Sequence, residues 1–252
     1  MKISIVTPTF NSAKTIQSNI DSIKAQSFKD YQLIIVDNNS TDETLEIIKK
    51  NNIPNIKFLI EEDLGIFDAI NKGIKISDNE LISVLHSDDF FSDNDVLKNI
   101  VEAFNKDKGN DIVYGDLIYV RKDNININLR YWKPGPFEKN LFFKGWHPPH
   151  PSFFAKKKLF DDYGYYDLIN GNSADVELMF RFLNTNNVKS KYLNKTLVKM
   201  RYGGASNKNV FSIIKQNIKI MKFLKIDKNY YKISIFVLYK FLDRLKQFVI
   251  KD

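Results

Sequence analysis

Three short apolar runs in this chain end in polar or acidic residues. Ile3–Thr7 leads into Pro8-Thr9-Phe10-Asn11, Tyr31–Val36 into Asp37, and Leu81–Leu85 into His86-Ser87-Asp88-Asp89. A carboxylate at such a place accepts from a base N–H or a ribose hydroxyl. Two adjacent carboxylates offer hard oxygen ligands to Mg2+ or Mn2+, which in turn bind a diphosphate. The plainer interpretation is that acids after strands are helix caps and turn formers. For Asp37 both interpretations stand. For Asp88-Asp89, two like charges side by side after a wholly apolar run are harder to explain as a turn.

Other chemistries lack their residues. The ten glycines form neither GxGxxG nor GxxxxGK, so the usual phosphate cradles are missing, and there is no GxSxG elbow. The chain has no cysteine, which removes disulfides, Cys-ligated zinc, iron–sulfur clusters and thiol nucleophiles. His147-Pro148-Pro149-His150 pairs two histidines three apart, but its prolines prevent the helix that would aim both at one metal.

The elements that must carry these ends alternate. Apolar strands at 3–7, 31–36, 56–60, 81–85 and 111–114 are interleaved with helical patterns at 13–27, 42–50, 66–76 and 93–105. That alternation predicts an α/β fold with a mostly parallel sheet and helices on both faces, and such sheets bind ligands beyond the carboxyl ends of their strands. From 116 to 172 the pattern breaks into Asn-, Pro- and aromatic-rich sequence, with a hairpin expected between 117–121 and 127–132. Helical spacing returns at 174–186, 209–226 and 230–250. The 252 residues, 43% of them hydrophobic, suffice for one large domain. No run of 18 apolar residues occurs, so no membrane-spanning helix is expected, and the apolar start is too short for a signal peptide.

The net charge of +8 is unevenly placed. Residues 1–207 hold 27 basic and 27 acidic side chains, whereas 208–252 hold 11 basic against three acidic. A nucleic-acid binder would spread its charge over the fold, so no nucleic-acid partner is expected. Lys215, Lys219, Lys222 and Lys225 fall on one helical face. In 230–250, Tyr231, Ile235, Leu238, Leu242, Leu245 and Val249 recur at helical intervals, edged by Lys232, Lys240, Arg244, Lys246 and Lys251. Two readings follow: basic amphipathic helices lying on an anionic membrane surface, or a helical pair packed on the domain with its lysines in water.

Several segments, in order, resemble family 2 glycosyltransferases of the bacterial polysaccharide and O-antigen type. They are Pro8-Thr9-Phe10-Asn11, Val36–Thr44 (VDNNSTDET), Glu62–Ile74 (EDLGIFDAINKGI) and Leu85-His86-Ser87-Asp88-Asp89. Tyr114-Gly115-Asp116, His150–Phe154, Gly164–Asp167 and Tyr202–Ser206 follow. The resemblance covers about residues 1–207 and departs at His86, where many members carry the first acid of a DxD motif.

The resemblance implies a GT-A fold with a nucleotide-sugar-binding half at 1–115, an acceptor half at 116–207 and a helical extension at 208–252. It implies inverting transfer of a sugar, from a UDP-sugar in most members, to a hydroxyl of a glycan acceptor. That acceptor would be polyprenyl-diphosphate-linked, with the enzyme cytoplasmic and peripheral at the inner face of the plasma membrane. Thr7, Pro8, Thr9, Asn11, Asp37, Asp63, Asn71, Ser87 and Asp88 would hold the donor, and Asp88 and Asp89 the Mn2+ or Mg2+. Ser173–Leu178 resembles the family's base segment, which makes Asp175 the general base. His150, Glu177, Arg201 and Trp146 are candidates for acceptor or diphosphate contacts, with core packing the alternative for Trp146 and for Trp132. A non-catalytic nucleotide-sugar or glycan-binding module and a metal-dependent nucleotidyltransferase are the alternative functions.

Overall fold

In the computed structural model, residues 1–203 and 210–249 are described; the expected Gly204–Ser206 end of the last motif lies outside them. The first half alternates as its sequence does: β1 (Ile3–Thr9), α1 (Ile16–Lys24), β2 (Tyr31–Asp37), α2 (Thr44–Lys50), β3 (Ile56–Ile60), α3 (Ile66–Lys75) and β4 (Leu81–Val84). A three-residue strand, β5 (Asp89–Phe91), then precedes α4 (Val96–Lys106) and the long β6 (Ile112–Val120). β7 (Asn128–Trp132) returns along β6, pairing Leu117 with Trp132 as the expected hairpin. β8 (Phe153–Lys156), α5 (Lys157–Tyr163), α6 (Ala174–Leu183) and β9 (Ser190–Arg201) complete the sheet, and α7 (Val210–Phe223) and α8 (Tyr230–Val249) follow.

The strands form one nine-stranded sheet in the order β3-β2-β1-β4-β8-β6-β9-β5, with β7 on β6. Pairing is parallel among β3, β2, β1 and β4, and again between β6 and β9. It turns antiparallel where β8 inserts between β4 and β6, and at β5 and β7. The sheet is therefore parallel in the nucleotide half and mixed beyond it, through three short strands that carry no alternation of their own.

Side chains alternate across this sheet as strand geometry requires. Ile3, Ile5, Leu33 and Ile35 face α1, α2 and α4. Val6, Ile34 and Val36 face α3, α5 and α6. α3 lies unusually close: a Cβ at Gly73 would sit 2.5 Å from Val6 Cγ1 and 3.0 Å from Val36 Cγ2. Gly73→Ala is expected to cost about 1–3 kcal/mol through overpacking, read as a lower thermal unfolding midpoint.

The charge asymmetry at 208 does not coincide with a packing boundary. Ile220 of α7, Leu224 and Ile226 of the connection that follows it, and Phe236 of α8 are all buried in the same core as Val6 and Ile112. α8 is inverted relative to an ordinary amphipathic helix. Its inner face holds Phe236, Lys240, Arg244 and Gln247, four positions separated by about one turn each. Its expected apolar stripe faces outward: Leu238, Leu242 and Leu245 are exposed, together with Val237, Phe241 and Phe248. Gly145 lets the helix seat, since a Cβ there would lie 2.7 Å from Lys240 Cβ.

Candidate active site

A cavity of about 330 Å³ opens beyond the carboxyl ends of β1 and β4. Pro8, the His86-Ser87-Asp88 turn and His150 line one part of it. Tyr119, Arg130 and Trp132 of the hairpin, Asp175 at the start of α6, and Lys240 and Arg244 of α8 line another.

The strand ends are tied into one rim. Asp37 is fully buried and accepts from Thr9 Oγ1 (2.7 Å) and from Ser40 N and Oγ (2.7 Å each). Asn11 adopts a left-handed conformation (φ 46°), accepts from Thr41 N at 2.9 Å, and donates its own N–H to Ser40 Oγ. Thr9, Asn11 and Asp37 thus brace the two loops against each other, and none of them lines the cavity. Thr7 is buried on β1, with no partner for its hydroxyl among the described residues.

Two expected donor contacts lie elsewhere. Asn71 spends its amide on the main chain of Tyr166, donating to the carbonyl (2.8 Å) and accepting from the N–H (2.9 Å). It latches α3 to the acceptor half and does not line the cavity. Asp63 accepts from Gly65 N at 2.8 Å and shapes the turn before α3.

The acidic turn is pinned from two sides. Asn19 Nδ2 donates to the carbonyls of His86 (2.9 Å) and Asp89 (3.0 Å). Arg201 donates to the Asp88 carbonyl and to Ser18 Oγ (2.8 Å). Arg201 therefore does not line the cavity but holds the turn that does. Ser87 Oγ is 2.8 Å from Ser12 Oγ.

Asp88 faces the cavity, and Asp89 behind it is fully buried, with no hydrogen bond to either carboxylate oxygen among the described residues. Burial first, then the neighbouring Asp88 charge, push the Asp89 carboxyl well up, while Arg201 opposes them. Orphaned buried oxygens beside a cavity-facing carboxylate suit a hard divalent cation. No group of three potential ligand residues occurs among the described residues, so a metal there needs further oxygens from a phosphate or water.

Histidine charge is suppressed throughout. Burial lowers His86, lowers His147 to about 3 and carries His150 well down. His150 Nε2 lies 2.7 Å from Tyr166 Oη, and its ring stands 5.6 Å from that of His86. Burial thus favours the neutral imidazole of His150. His147 also lines the cavity, edge-on to Trp132 at 5.1 Å.

Asp175 sits in the first turn of α6, one residue past the Ser173–Ala174 junction, so it is not the residue that caps the helix. Its carboxyl is raised to about 6 by burial, against the lowering effects of the Val176 N–H (2.8 Å) and of Lys240. Glu177, by contrast, does not line the cavity and is held bidentately by Arg181 at 2.9 Å, whose remaining N–H groups grip the carbonyls of Tyr163, Gly164 and Tyr165. Trp146 also lies outside: its Nε1 donates to Pro134 O (2.7 Å) and its ring packs among Tyr114, Phe137 and Phe142. Trp132 is the tryptophan at the cavity, stacked on Tyr119.

Arg130, Lys240, Arg244 and Gln247 escaped the sequence reading as site residues. The spacing of 240, 244 and 247 on one helical face was visible, but a charged stripe ordinarily faces water.

A family model described as Glycosyl transferase family 2 matches residues 4–164. The chain is 30% identical over 211 residues to the PGL/p-HBAD biosynthesis glycosyltransferase of Mycobacterium bovis (strain BCG / Pasteur 1173P2), covering 81% of this chain and 78% of that protein. It is 28% identical over 227 residues to the hyaluronan synthase of Pasteurella multocida, covering 86% of this chain and 23% of that one. In backbone it resembles S. aureus TarS 1–349 solved with UDP-GlcNAc, with a TM-score of 0.67, 20% identity, and coverage of 95% and 71%. It also resembles the mannosyltransferase PcManGT of Pyrobaculum calidifontis solved with GDP-Man and Mn2+, with a TM-score of 0.65, 16% identity, and coverage of 95% and 68%.

Proposed function

The chain belongs to glycosyltransferase family 2, and from that premise we propose that it carries out inverting transfer of a sugar from a nucleotide-sugar to a hydroxyl of a glycan acceptor. The observation that carries this reading is Asp175: a carboxylate of raised basicity facing the same cavity as Asp88. In this reading Asp175 takes the proton from the acceptor hydroxyl as that oxygen attacks the anomeric carbon from the face opposite the leaving diphosphate. A carboxyl titrating near 6 is still ionised at neutral pH, yet binds a proton more strongly than a free Asp. Pro8 and Ser87, with the loops braced by Asp37, form the donor rim. A UDP-sugar is the donor we favour, in line with the UDP-GlcNAc held by TarS.

Asp88 and Asp89 would hold a Mn2+ or Mg2+ ion. When bound, such an ion neutralises charge on the departing nucleoside diphosphate. Arg201 keeps the Asp88 main chain in place for this, and Trp132 offers an apolar face to an acceptor sugar.

We further place the enzyme at an anionic membrane surface with a lipid-linked acceptor. The support is the outward face of α8, with Leu238, Phe241, Leu242, Leu245 and Phe248 all exposed, together with exposed Lys232 and Lys246 on the same helix and exposed Lys215, Lys222 and Lys225 in the α7 segment. No described helix is long and apolar enough to cross a membrane. Contact would therefore be interfacial, and the inner leaflet is the location proposed.

The test is a panel of nucleotide-sugars with Mn2+ or Mg2+. Release of free nucleoside diphosphate is expected. Chelation by EDTA should abolish it, and Asp88→Asn should reduce it about 10²–10³-fold, the range for loss of one charge-stabilising group. Release of pyrophosphate would instead identify a nucleotidyltransferase, and no release with tight donor binding would identify a binding module.

A further inference from the structure

The reaction described above uses the acids of the cavity and leaves its cations unexplained. Arg130 comes from β7, and Lys240 and Arg244 stand one turn apart on α8; all three line the cavity with Asp175. Arg130 is only 6% exposed. Its Nε donates to Gln247 Oε1 at 2.7 Å, and its guanidinium lies 4.3 Å from the Tyr119 ring centre and 5.5 Å from that of Trp132. That arrangement fixes the guanidinium plane and commits only one of its donors. Lys240 Nζ lies 5.3 Å from the Phe236 ring centre. Among the described residues no ion pair within 4 Å involves Arg130, Lys240 or Arg244, although Asp175 and Asp243 share the cavity.

The nearby acids offset the cost of withdrawing these cations from water only in part. Burial lowers Lys240 to about 8, with Arg244 acting in the same direction and Asp175 and Asp243 opposing. Burial likewise lowers Arg130, again with Arg244 in the same direction. One buried and two half-buried cations that line a cavity without a close ion-pair partner are relieved by an anion, and a guanidinium fixed in orientation favours a phosphate by presenting parallel N–H donors. The charges also separate into two groups. Asp88 and Asp89 interact with each other and with Arg201. Lys240 interacts instead with Asp175, Asp243 and Arg244.

We propose that Arg130, Lys240 and Arg244 form a subsite for a phosphate or diphosphate group carried by the acceptor, beside the hydroxyl that Asp175 deprotonates. This rests on the reading of Asp175 as the acceptor-side base. The acceptor class is therefore a phosphorylated one, either a sugar on a phospholipid carrier or a phosphate-bearing glycan. Gly145 and Gln247 act as positioning residues, the first by admitting Lys240 and the second by holding Arg130.

The experiment is calorimetric titration of the full chain with inorganic phosphate and with geranyl phosphate, each with and without saturating UDP (or GDP, if UDP is not bound) and Mg2+. Both phosphate probes should bind while the nucleoside diphosphate occupies its own site. Lys240→Met and Arg244→Gln should each weaken phosphate binding tenfold or more with nucleotide affinity unchanged, and Arg244→Lys should restore part of it. Arg130→Gln is a third variant; because Arg130 is buried, the two α8 substitutions carry the test if it fails to fold. Tighter binding of geranyl phosphate than of inorganic phosphate would support the subsite and assign it to a carrier lipid. Equal binding would support it and assign it to a glycan-borne phosphate. Phosphate affinity unchanged in the α8 variants, or nucleotide affinity falling in parallel, would overturn the proposal. Failure of any nucleoside diphosphate to bind would count against the donor reading alone, since the phosphate arms are also run without it.

Discussion

Asp175→Asn should lower sugar transfer by about 10²–10⁴-fold, the range for loss of a positioned general base, while nucleoside diphosphate affinity stays unchanged. The asparagine keeps the volume of the side chain, and the Val176 N–H can still donate to its amide oxygen. What it loses is the ability to take a proton. Folding should survive, because Asp175 makes no ion pair among the described residues and does not cap α6. Retained activity would move the base elsewhere. It would not move it readily to Glu177, whose carboxylate is bound to Arg181 and does not line the cavity.

The same residue sets a pH dependence. As the base of the proposed reaction Asp175 would act only as the carboxylate, and burial raises it to about 6, so the transfer rate should fall as pH drops through that value. Lys240 is the cation that lowers Asp175, with Arg244 and Asp243 also facing Lys240 from α8. Lys240→Met removes that opposition, so the acid limb should move above 6. A limb that stayed in place would show that another group controls the profile. Rates measured at saturating donor from pH 5 to 8 distinguish these outcomes.

The parts of this fold that could be read from sequence are those where one physical rule dominates. Ile3–Thr7 and Tyr31–Val36 are buried on both faces, so their apolar runs announced strands, and the observed register pairs Ile3 with Tyr31. The 117–121 against 127–132 hairpin was legible because both arms carry β-branched and aromatic residues. β9 was not: its Ser190–Thr196 portion is rich in Lys and Asn and largely solvated, and β8 is four residues long. Among the residues that line the cavity, Asp88 and Asp175 were singled out through local motifs. Asn71 sits inside such a motif but serves Tyr166, 95 positions away, a partner that no local pattern announces. Arg130 and Lys240 reach one cavity only because α8 packs on the hairpin and the Gly145 turn, through contacts between segments more than 90 residues apart (Arg130 with Gln247, Gly145 with Lys240).

Removal of residues 208–252 should leave no soluble, cooperatively folding protein. The cut takes Ile220, Leu224, Ile226 and Phe236 out of the main core. Each Ile, Leu or Phe lost to a cavity costs about 2–5 kcal/mol, and four together approach or exceed the ~5–15 kcal/mol that holds a domain folded. Truncation therefore cannot isolate a membrane role, but the inverted faces of α8 provide another route. Phe241 and Leu245 are about half exposed and do not line the cavity. The double substitution Phe241→Ser with Leu245→Ser should keep the unfolding midpoint and the release of nucleoside diphosphate from a soluble donor. If α8 lies in an interface, each residue contributes about 1.5–3 kcal/mol of apolar burial there, so partition onto anionic vesicles should fall by roughly a hundredfold or more. Unchanged vesicle sedimentation would remove α8 from the membrane contact. A lowered midpoint would mean that the outer stripe is covered by protein instead. Turning over a lipid-linked acceptor should then fail in the double variant while soluble donor hydrolysis persists, because Lys240 and Arg244 stay on the inner face of the same helix, beside Asp175.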